Sequence, residues 1–178
     1  MKKISAIFLL AIFSCFAFTY ITKQTITKSA ITFQIKNLGI NVGGSFSGLK
    51  ADINFDPEHL DSSSIEASVQ ANTINTDNDS RDSHLKSEDF FDVDKYPEIK
   101  MKSVSIRHNG GNNYTGTFNL TIKDKTNQVQ VPFTYTENGG TANFKGSFKI
   151  KRTDYGVGGK SMVMSNDVTI TIDVSASK

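Results

Sequence analysis

The feature that most constrains this chain is a two-residue alternation of apolar and polar side chains that starts near Ser29 and recurs to the C-terminus. Successive side chains of a β-strand point to opposite faces, so this period is typical of strands with one buried face. Turn sequences rich in asparagine and glycine separate the runs at 109–112 and 138–140, as expected of hairpins. The pattern predicts an all-β fold of about eight strands, an antiparallel barrel or sandwich.

Two local irregularities are expected within this pattern. Gly43 and Gly44 predict a bend after the first strand. The phase of the alternation slips between Met101 and Val104, which predicts a β-bulge near Ser103.

One charged segment, residues 81–97, interrupts the strands. Leu85 and the pair Phe90–Phe91 fall at roughly helical spacing, and the Asp/Asn/Ser cluster at 77–80 offers an N-cap. Pro97 holds the residue before it in an extended conformation, so a helix must end earlier. We therefore expect a short helix laid across one end of the barrel.

The N-terminus carries the pattern of an export signal. Lys2 and Lys3 precede an apolar run at 4–13, and residues 15–17 offer a cleavage site. We assign residues 1–22 to a leader and residues 23–178 to one folded domain, and expect a periplasmic or secreted protein. Two alternatives are a membrane-spanning helix over 4–21 and a lipoprotein anchored through Cys15.

Composition excludes some classes of partner and of covalent bond. Without Lys2 and Lys3, basic and acidic residues balance, so the mature chain lacks the basic excess that binds nucleic acid. Cys15 is the single cysteine of the sequence and precedes the predicted domain, which excludes a disulfide within it.

The inward face of the predicted barrel mixes large and small residues. A barrel of eight strands can be filled by its own side chains or can hold one small ligand. Gly116 and Gly146 lie in phase with the inward set, where they either leave room for a ligand or relieve curvature; both readings stay open. A ligand in such an apolar cavity would be a hydrocarbon. The residues expected to line it are Phe33, Ile35, Phe118, Leu120, Val131, Phe133, Phe144, Gly146, Phe148 and Ile170.

Five polar residues are candidates for the mouth of the barrel. Arg81, Asp82 and His84 either recognise a lipid head group or cap the helix and pin it through an Arg–carboxylate bond. Arg152 continues the inward phase of its strand, and an inward arginine is costly unless it is paired. Asp82 or Asp154 is the expected partner, in either a structural lock or a ligand contact.

Catalytic and metal sites find little support in the sequence. The three histidines are widely spaced, without an HExxH motif, and there is no Gly-x-Ser-x-Gly elbow. We assign no catalytic or metal-binding residue and expect a protein that is not an enzyme. Two rivals are an enzyme of unrecognised design that uses Asp82 and His84 as acid and base and an integral outer-membrane barrel. The polar face carries lysines, among them Lys50, Lys100 and Lys145. They argue against the outer-membrane barrel, because in it this face would line a narrow lumen.

Several spaced motifs together resemble the YceI-like family. They are Ser-Ala-Ile-Thr-Phe at 29–33, Arg-Asp-x-His-Leu at 81–85, Asp-Phe-Phe at 89–91, Lys-Tyr-Pro at 95–97, Gly-x-Phe-x-Leu-Thr-Ile at 116–122 and Arg-x-Asp-Tyr-Gly-Val-Gly at 152–158. The resemblance covers residues 29–176. It departs from the family at 123–125, where a glycine turn is usual, and in the short loop 159–165.

The resemblance implies a lipocalin-like periplasmic barrel that carries a polyisoprenoid lipid, an isoprenoid quinone or a polyprenyl chain, and needs no cofactor. A fatty acid or fatty amide is the alternative cargo. Transient contact with a membrane would accompany such a role. The protein would act as a monomer or a homodimer.

Overall fold

The computed structural model describes residues 24–177, which form nine strands and one α-helix. The expected leader, residues 1–22 with Cys15, lies outside the described residues. The strands are β1 (Thr25–Asn37), β2 (Ile40–Phe46), β3 (Lys50–Asn54), β4 (Ser64–Gln70), β5 (Glu98–His108), β6 (Asn113–Ile122), β7 (Lys125–Asn138), β8 (Thr141–Lys151) and β9 (Met164–Ser177), and the helix α1 is Asp79–Lys86. Short 3₁₀ turns lie at Ala71–Thr73 and Arg152–Tyr155.

All nine described strands belong to one antiparallel sheet, in the order β2-β1-β9-β8-β7-β6-β5-β4-β3. The sheet curls into a half-barrel whose edge strands are β2 and β3. The predicted all-β antiparallel fold with a short helix is confirmed. The tight hairpins at 109–112 and 138–140 are confirmed as well, because they join β5 to β6 and β7 to β8.

The predicted bend at Gly43 and Gly44 is wrong, because both residues lie inside β2. A Cβ atom on Gly44 would lie 2.5 Å from Cζ of Phe33 and 2.8 Å from the carbonyl oxygen of Asn75. The missing side chain therefore lets β2 lie against the Phe33 ring and pair with the chain at Asn75. Ser45 and Asn75 exchange two backbone hydrogen bonds, of 2.8 and 3.0 Å. The glycines therefore allow close approach of the backbone to its neighbours. Among the described strands, β2 is the one beyond the eight that the sequence pattern predicts.

The predicted bulge near Ser103 is confirmed. Ser103 pairs with Phe118 and Ser105 pairs with Thr117, so Val104 is the extra residue. The Ser103 hydroxyl accepts a hydrogen bond of 2.9 Å from the backbone N–H of Ile65 on β4. The bulge turns Val104 outward, where 53% of its surface is exposed.

Helix α1 begins at its predicted cap. The side chain of Asn78 accepts a hydrogen bond of 2.9 Å from the backbone N–H of Arg81. An eight-residue helix is too short to be stable alone, so packing must hold it. The chain after α1 supplies that packing, because Phe91 makes an edge contact with Phe46 at the end of β2, 5.7 Å between ring centres. The stretch from α1 to Phe91 (residues 79–91, the helical segment) thereby covers the gap beside the β2 edge.

A cluster of aromatic rings closes the end of the half-barrel that lies opposite α1. Phe55 is its centre, with ring centres 5.2 Å from Tyr114, 6.0 Å from Phe133, 4.7 Å from Tyr135 and 5.5 Å from Phe144. All five rings are buried. A second buried cluster lies nearer α1 and contains Phe118, Leu120, Ile122, Val131, Phe148, Ile150, Tyr155 and Val157.

The packing of β8 against β7 can be tested at Gly146. A Cβ atom at Gly146 would lie 2.9 Å from the backbone oxygen of Pro132, whereas one at Gly43 would find only an ordinary contact, 3.5 Å from the Phe33 oxygen. We expect Gly146→Ala to lower the free energy of unfolding by about 1–3 kcal/mol through overpacking. Urea unfolding measures this, with Gly43→Ala as the matched control that changes it by less than about 0.5 kcal/mol. Equal effects of the two substitutions would contradict the close packing at Gly146.

Candidate functional site

An apolar cavity of about 230 Å³ lies between the aromatic cluster and the helical segment. Its wall comes from strands β1, β2, β4, β5, β6, β8 and β9. The apolar side chains that line it include Ile31, Phe33, Ile35, Val42, Phe46, Ala67, Val69, Ile99, Met101, Leu120, Ile122, Phe148, Ile150, Val168, Ile170 and Ile172, with Leu85, Phe90 and Phe91 from the helical segment. Such a wall binds by burial of hydrocarbon surface rather than by polar recognition.

The cavity is elongated along the strands. On β9 its lining runs from Ile172 to Met164, which at about 3.3 Å per residue spans roughly 26 Å. On β1 it runs from Ile31 to Asn37, roughly 20 Å by the same rise. An apolar space whose lining extends this far along the strands suits a single extended chain better than a compact ring.

Five of the ten residues that the alternation assigns to the cavity lie in its wall: Phe33, Ile35, Leu120, Phe148 and Ile170. The other five, Phe118, Val131, Phe133, Phe144 and Gly146, do not. Phe133 and Phe144 belong to the aromatic cluster, and the Phe118 ring lies on Gly116, where a Cβ atom would collide with it. Val131 is packed in the second cluster, and Gly146 faces the Pro132 carbonyl. Alternation predicts the inward face correctly but not the depth at which the core closes.

Further lining residues are absent from the set that the alternation assigns to the cavity. Val42 and Phe46 lie on β2, the strand that the pattern does not predict. Leu85, Phe90 and Phe91 carry the helical spacing noted in the sequence, and that spacing is the signal that places them over the cavity.

Thr76 is the point at which the start of α1 is held. Asp82 is buried and accepts hydrogen bonds from the backbone N–H of Thr76, at 2.9 Å, and from its hydroxyl. Arg81 donates from Nε to the Thr76 hydroxyl at 2.8 Å and from a terminal nitrogen to the Thr76 carbonyl at 2.6 Å. The helix is therefore pinned through Thr76, and the expected Arg–carboxylate bond is wrong. Arg81 also reaches the cavity wall.

His84 lies outside the cavity. It is exposed, with Nε2 3.8 Å from a carboxylate oxygen of Asp89, and its ring meets Phe90 edge-on at 5.0 Å. It therefore lies on the outer side of the helical segment.

Arg152 is the buried cation of the cavity wall, with 4% of its surface exposed. Its guanidinium donates to the carbonyls of Val157, Gly159 and Ser165, each at 2.9 Å, and to the side-chain oxygen of Asn166 at 3.3 Å. Burial lowers the pKa of this guanidinium, although arginine stays charged in proteins.

The inward direction of Arg152 is as predicted, but its predicted carboxylate partner is wrong. Asp82 bonds to Thr76, and Asp154 is exposed. The four hydrogen bonds that the structure shows for Arg152 all end on uncharged oxygens, so they satisfy four of its five N–H donors and leave its charge without a counter-ion. They also order the loop 157–166 at the mouth.

A model of the YceI-like domain matches residues 23–176. The chain belongs to this family. A relative from Pseudomonas savastanoi, a UPF0312 protein, is 26% identical over 163 residues, covering 88% of this chain and 83% of its own.

Two solved structures have the same architecture. Burkholderia cenocepacia BcnA superposes with a TM-score of 0.81 at 28% identity and covers 84% of this chain and 96% of its own. A polyisoprenoid-binding domain from Saccharophagus degradans has a TM-score of 0.63 at 13% identity and covers 87% of this chain and 97% of its own. At that identity the second likeness concerns the fold.

Two further observations concern residues 24–177. No group of three or more histidine, cysteine, aspartate or glutamate side chains is gathered there in a way that could hold a metal ion. Within the same range no helix is long and apolar enough to cross a bilayer.

Arg152 provides the test of the mouth. Arg152→Met removes the donor of three backbone carbonyls, and we expect the free energy of unfolding to fall by about 2 kcal/mol or more. Thermal and urea unfolding measure this, with Arg107→Met on the exposed face of β5 as the control. Because no carboxylate within residues 24–177 bonds to Arg152, neither Asp82→Asn nor Asp154→Asn should restore stability in the Arg152→Met background. Restoration by either would contradict the contacts described above.

Proposed function

We propose that this protein binds a polyisoprenoid-type lipid, an isoprenoid quinone or a polyprenyl chain, in the apolar cavity and carries or sequesters it without reacting with it. The observation that carries the proposal is the shape of the cavity. It is long, apolar along its length, closed at one end by the Phe55 cluster and lined by polar groups near α1. The description of the Saccharophagus domain as polyisoprenoid-binding supports the same class of ligand.

The chain of the lipid would lie along β1 and β9. Branched aliphatic side chains and phenylalanine rings present many methyl and ring contacts there, and each buried CH₂ of a ligand is worth about 0.8 kcal/mol. The aromatic cluster sets how deep the chain can reach, because Phe133 and Phe144 fill the space beyond the cavity.

The head of the lipid would lie near Arg152. A buried cation with only neutral acceptors favours any ligand group that brings negative charge or a strong acceptor oxygen. Ring carbonyls of a quinone and the phosphate of a polyprenyl phosphate both meet this requirement. Arg81 and Thr76, on the α1 side of the wall, supply further polar contacts.

A fatty acid is the second candidate ligand. The same observation favours it, because a carboxylate would neutralise Arg152 directly. We infer in either case that the protein acts outside the cytoplasm, on the basis of the export pattern at residues 1–22.

Ala67 allows the proposal to be tested with little damage to the fold. It is a half-buried small residue of the cavity wall on β4. We expect Ala67→Phe to occupy ligand space and weaken binding of a fluorescent polyprenyl probe by about tenfold or more, since about 1.4 kcal/mol corresponds to a factor of ten. Ala30→Phe, the same substitution at an exposed position of β1, is the control and should bind as the unchanged protein does. Equal probe affinity of the two folded variants would remove the cavity as the binding site.

A competition series separates the two ligands. Polyprenyl phosphate, an isoprenoid quinone and a fatty acid of similar length are each added against the probe. Displacement by the fatty acid at the lowest concentration would overturn the isoprenoid assignment.

A further inference from the structure

Two chain tips beside the mouth of the cavity expose large apolar side chains. At the β1–β2 turn, Leu38 is 71% exposed and Ile40 is 69% exposed. Just before β9, Met162 is fully exposed and Val163 is 52% exposed. In the part of the chain that the structure describes, the other exposed large hydrophobic residue is Val104, on the β5 bulge. The exposed apolar surface is therefore concentrated at one place.

The two tips form one surface. The backbone N–H of Leu38 donates a hydrogen bond of 2.8 Å to the carbonyl of Val163, and Asn37 pairs with Met164. Arg152 holds the base of the second tip through the carbonyls of Gly159 and Ser165. The tips are thus held together by backbone hydrogen bonds.

The conformation of Leu38 makes its identity informative. Its φ is 51° and that of Gly39 is 77°, as a tight hairpin turn with two left-handed residues requires. Asparagine, aspartate and glycine accept this conformation at low cost, whereas leucine does not. A leucine that is both strained and exposed adds nothing to folding, so a role outside the folded chain accounts for it best.

The charges around the tips identify the kind of surface that they fit. Residues 36–46 and 156–166 contain two charged side chains, Lys36 and Lys160, and both are basic and exposed. The nearby acidic residues lie outside these two stretches: Asp77 precedes α1, Asp89 follows it with its carbonyl bonded to the Gly158 N–H, and the exposed Asp167 follows the second tip on β9. Apolar residues flanked by lysines match a bilayer with anionic head groups, where the apolar groups enter the interface and the lysines meet the phosphates.

We propose that the Leu38–Ile40 and Met162–Val163 tips dock on an anionic lipid bilayer and place the cavity mouth against it. The inference rests on the proposed lipid cargo and adds the route by which that cargo enters or leaves. Asn37, Val42 and Met164 adjoin the tips and line the cavity, so a lipid leaving the bilayer at the tips meets the cavity wall directly. Such a path avoids exposing the chain of the lipid to water.

The absence of tryptophan from the sequence makes the contact measurable. Met162→Trp introduces a single reporter at the tip, and Val104→Trp is the matched control at an exposed apolar site elsewhere. Protein expressed from the full chain is mixed with vesicles of phosphatidylcholine and phosphatidylglycerol, with or without brominated phosphatidylcholine. We expect bromine quenching at position 162 and none at position 104. Adding Leu38→Asn, which relieves the backbone, should lower vesicle affinity about tenfold.

Each other outcome is decisive. Equal quenching at 162 and 104, or none at 162, would overturn the docking surface. Sedimentation without vesicles identifies a competing occupant, because a dimer that Leu38→Asn converts to a monomer, with no quenching at 162, would assign the tips to a second copy of the chain.

Binding of the polyprenyl probe in vesicle-free solution separates this inference from the proposed function. Normal probe binding without quenching overturns the docking surface alone. Quenching without probe binding supports the surface and overturns the cargo.

Discussion

The packing of Phe55 against four other rings determines where this half-barrel is solid and where it is hollow. The rings come from β6, β7 and β8, and Phe55 itself follows β3, so the contact joins strands that are far apart in the sheet. Each aromatic pair contributes about 0.5–1.5 kcal/mol beyond the area it buries. Because this end is filled, the remaining internal space lies nearer α1.

At the mouth, a charged side chain is placed in an apolar wall. Arg152 is buried there, and burial destabilises its charged form. Three backbone carbonyls accept hydrogen bonds from it without neutralising its charge. The same hydrogen bonds order the loop that carries Met162 and Val163. One residue thus connects the proposed preference of the cavity for an acceptor or anionic group with the shape of the surface proposed to dock on a bilayer.

The sequence predicts the faces of the strands well, because alternation is a local property. It could not predict depth: Phe144 and Phe148 share a strand and a face, yet the first fills the aromatic cluster and the second lines the cavity. That difference depends on Phe55, which no local pattern connects with β8. Glycine at position 44 predicts a bend where the structure has a strand, because a bend and a close approach both favour glycine. The inward direction of Arg152 follows from alternation, but its backbone partners leave no mark in the sequence.

Native mass spectrometry of the protein, purified without detergent from the organism that makes it, tests the central claim most directly. The account predicts a bound species whose mass, confirmed by lipid extraction, corresponds to a prenyl chain carrying a quinone or phosphate head, at about one lipid per protein chain, because the apolar cavity would hold one. Loss of that species from the Ala67→Phe variant but not from Ala30→Phe would place it in the cavity. A protein that is free of lipid, or that carries the lipid equally in both variants, would contradict the account.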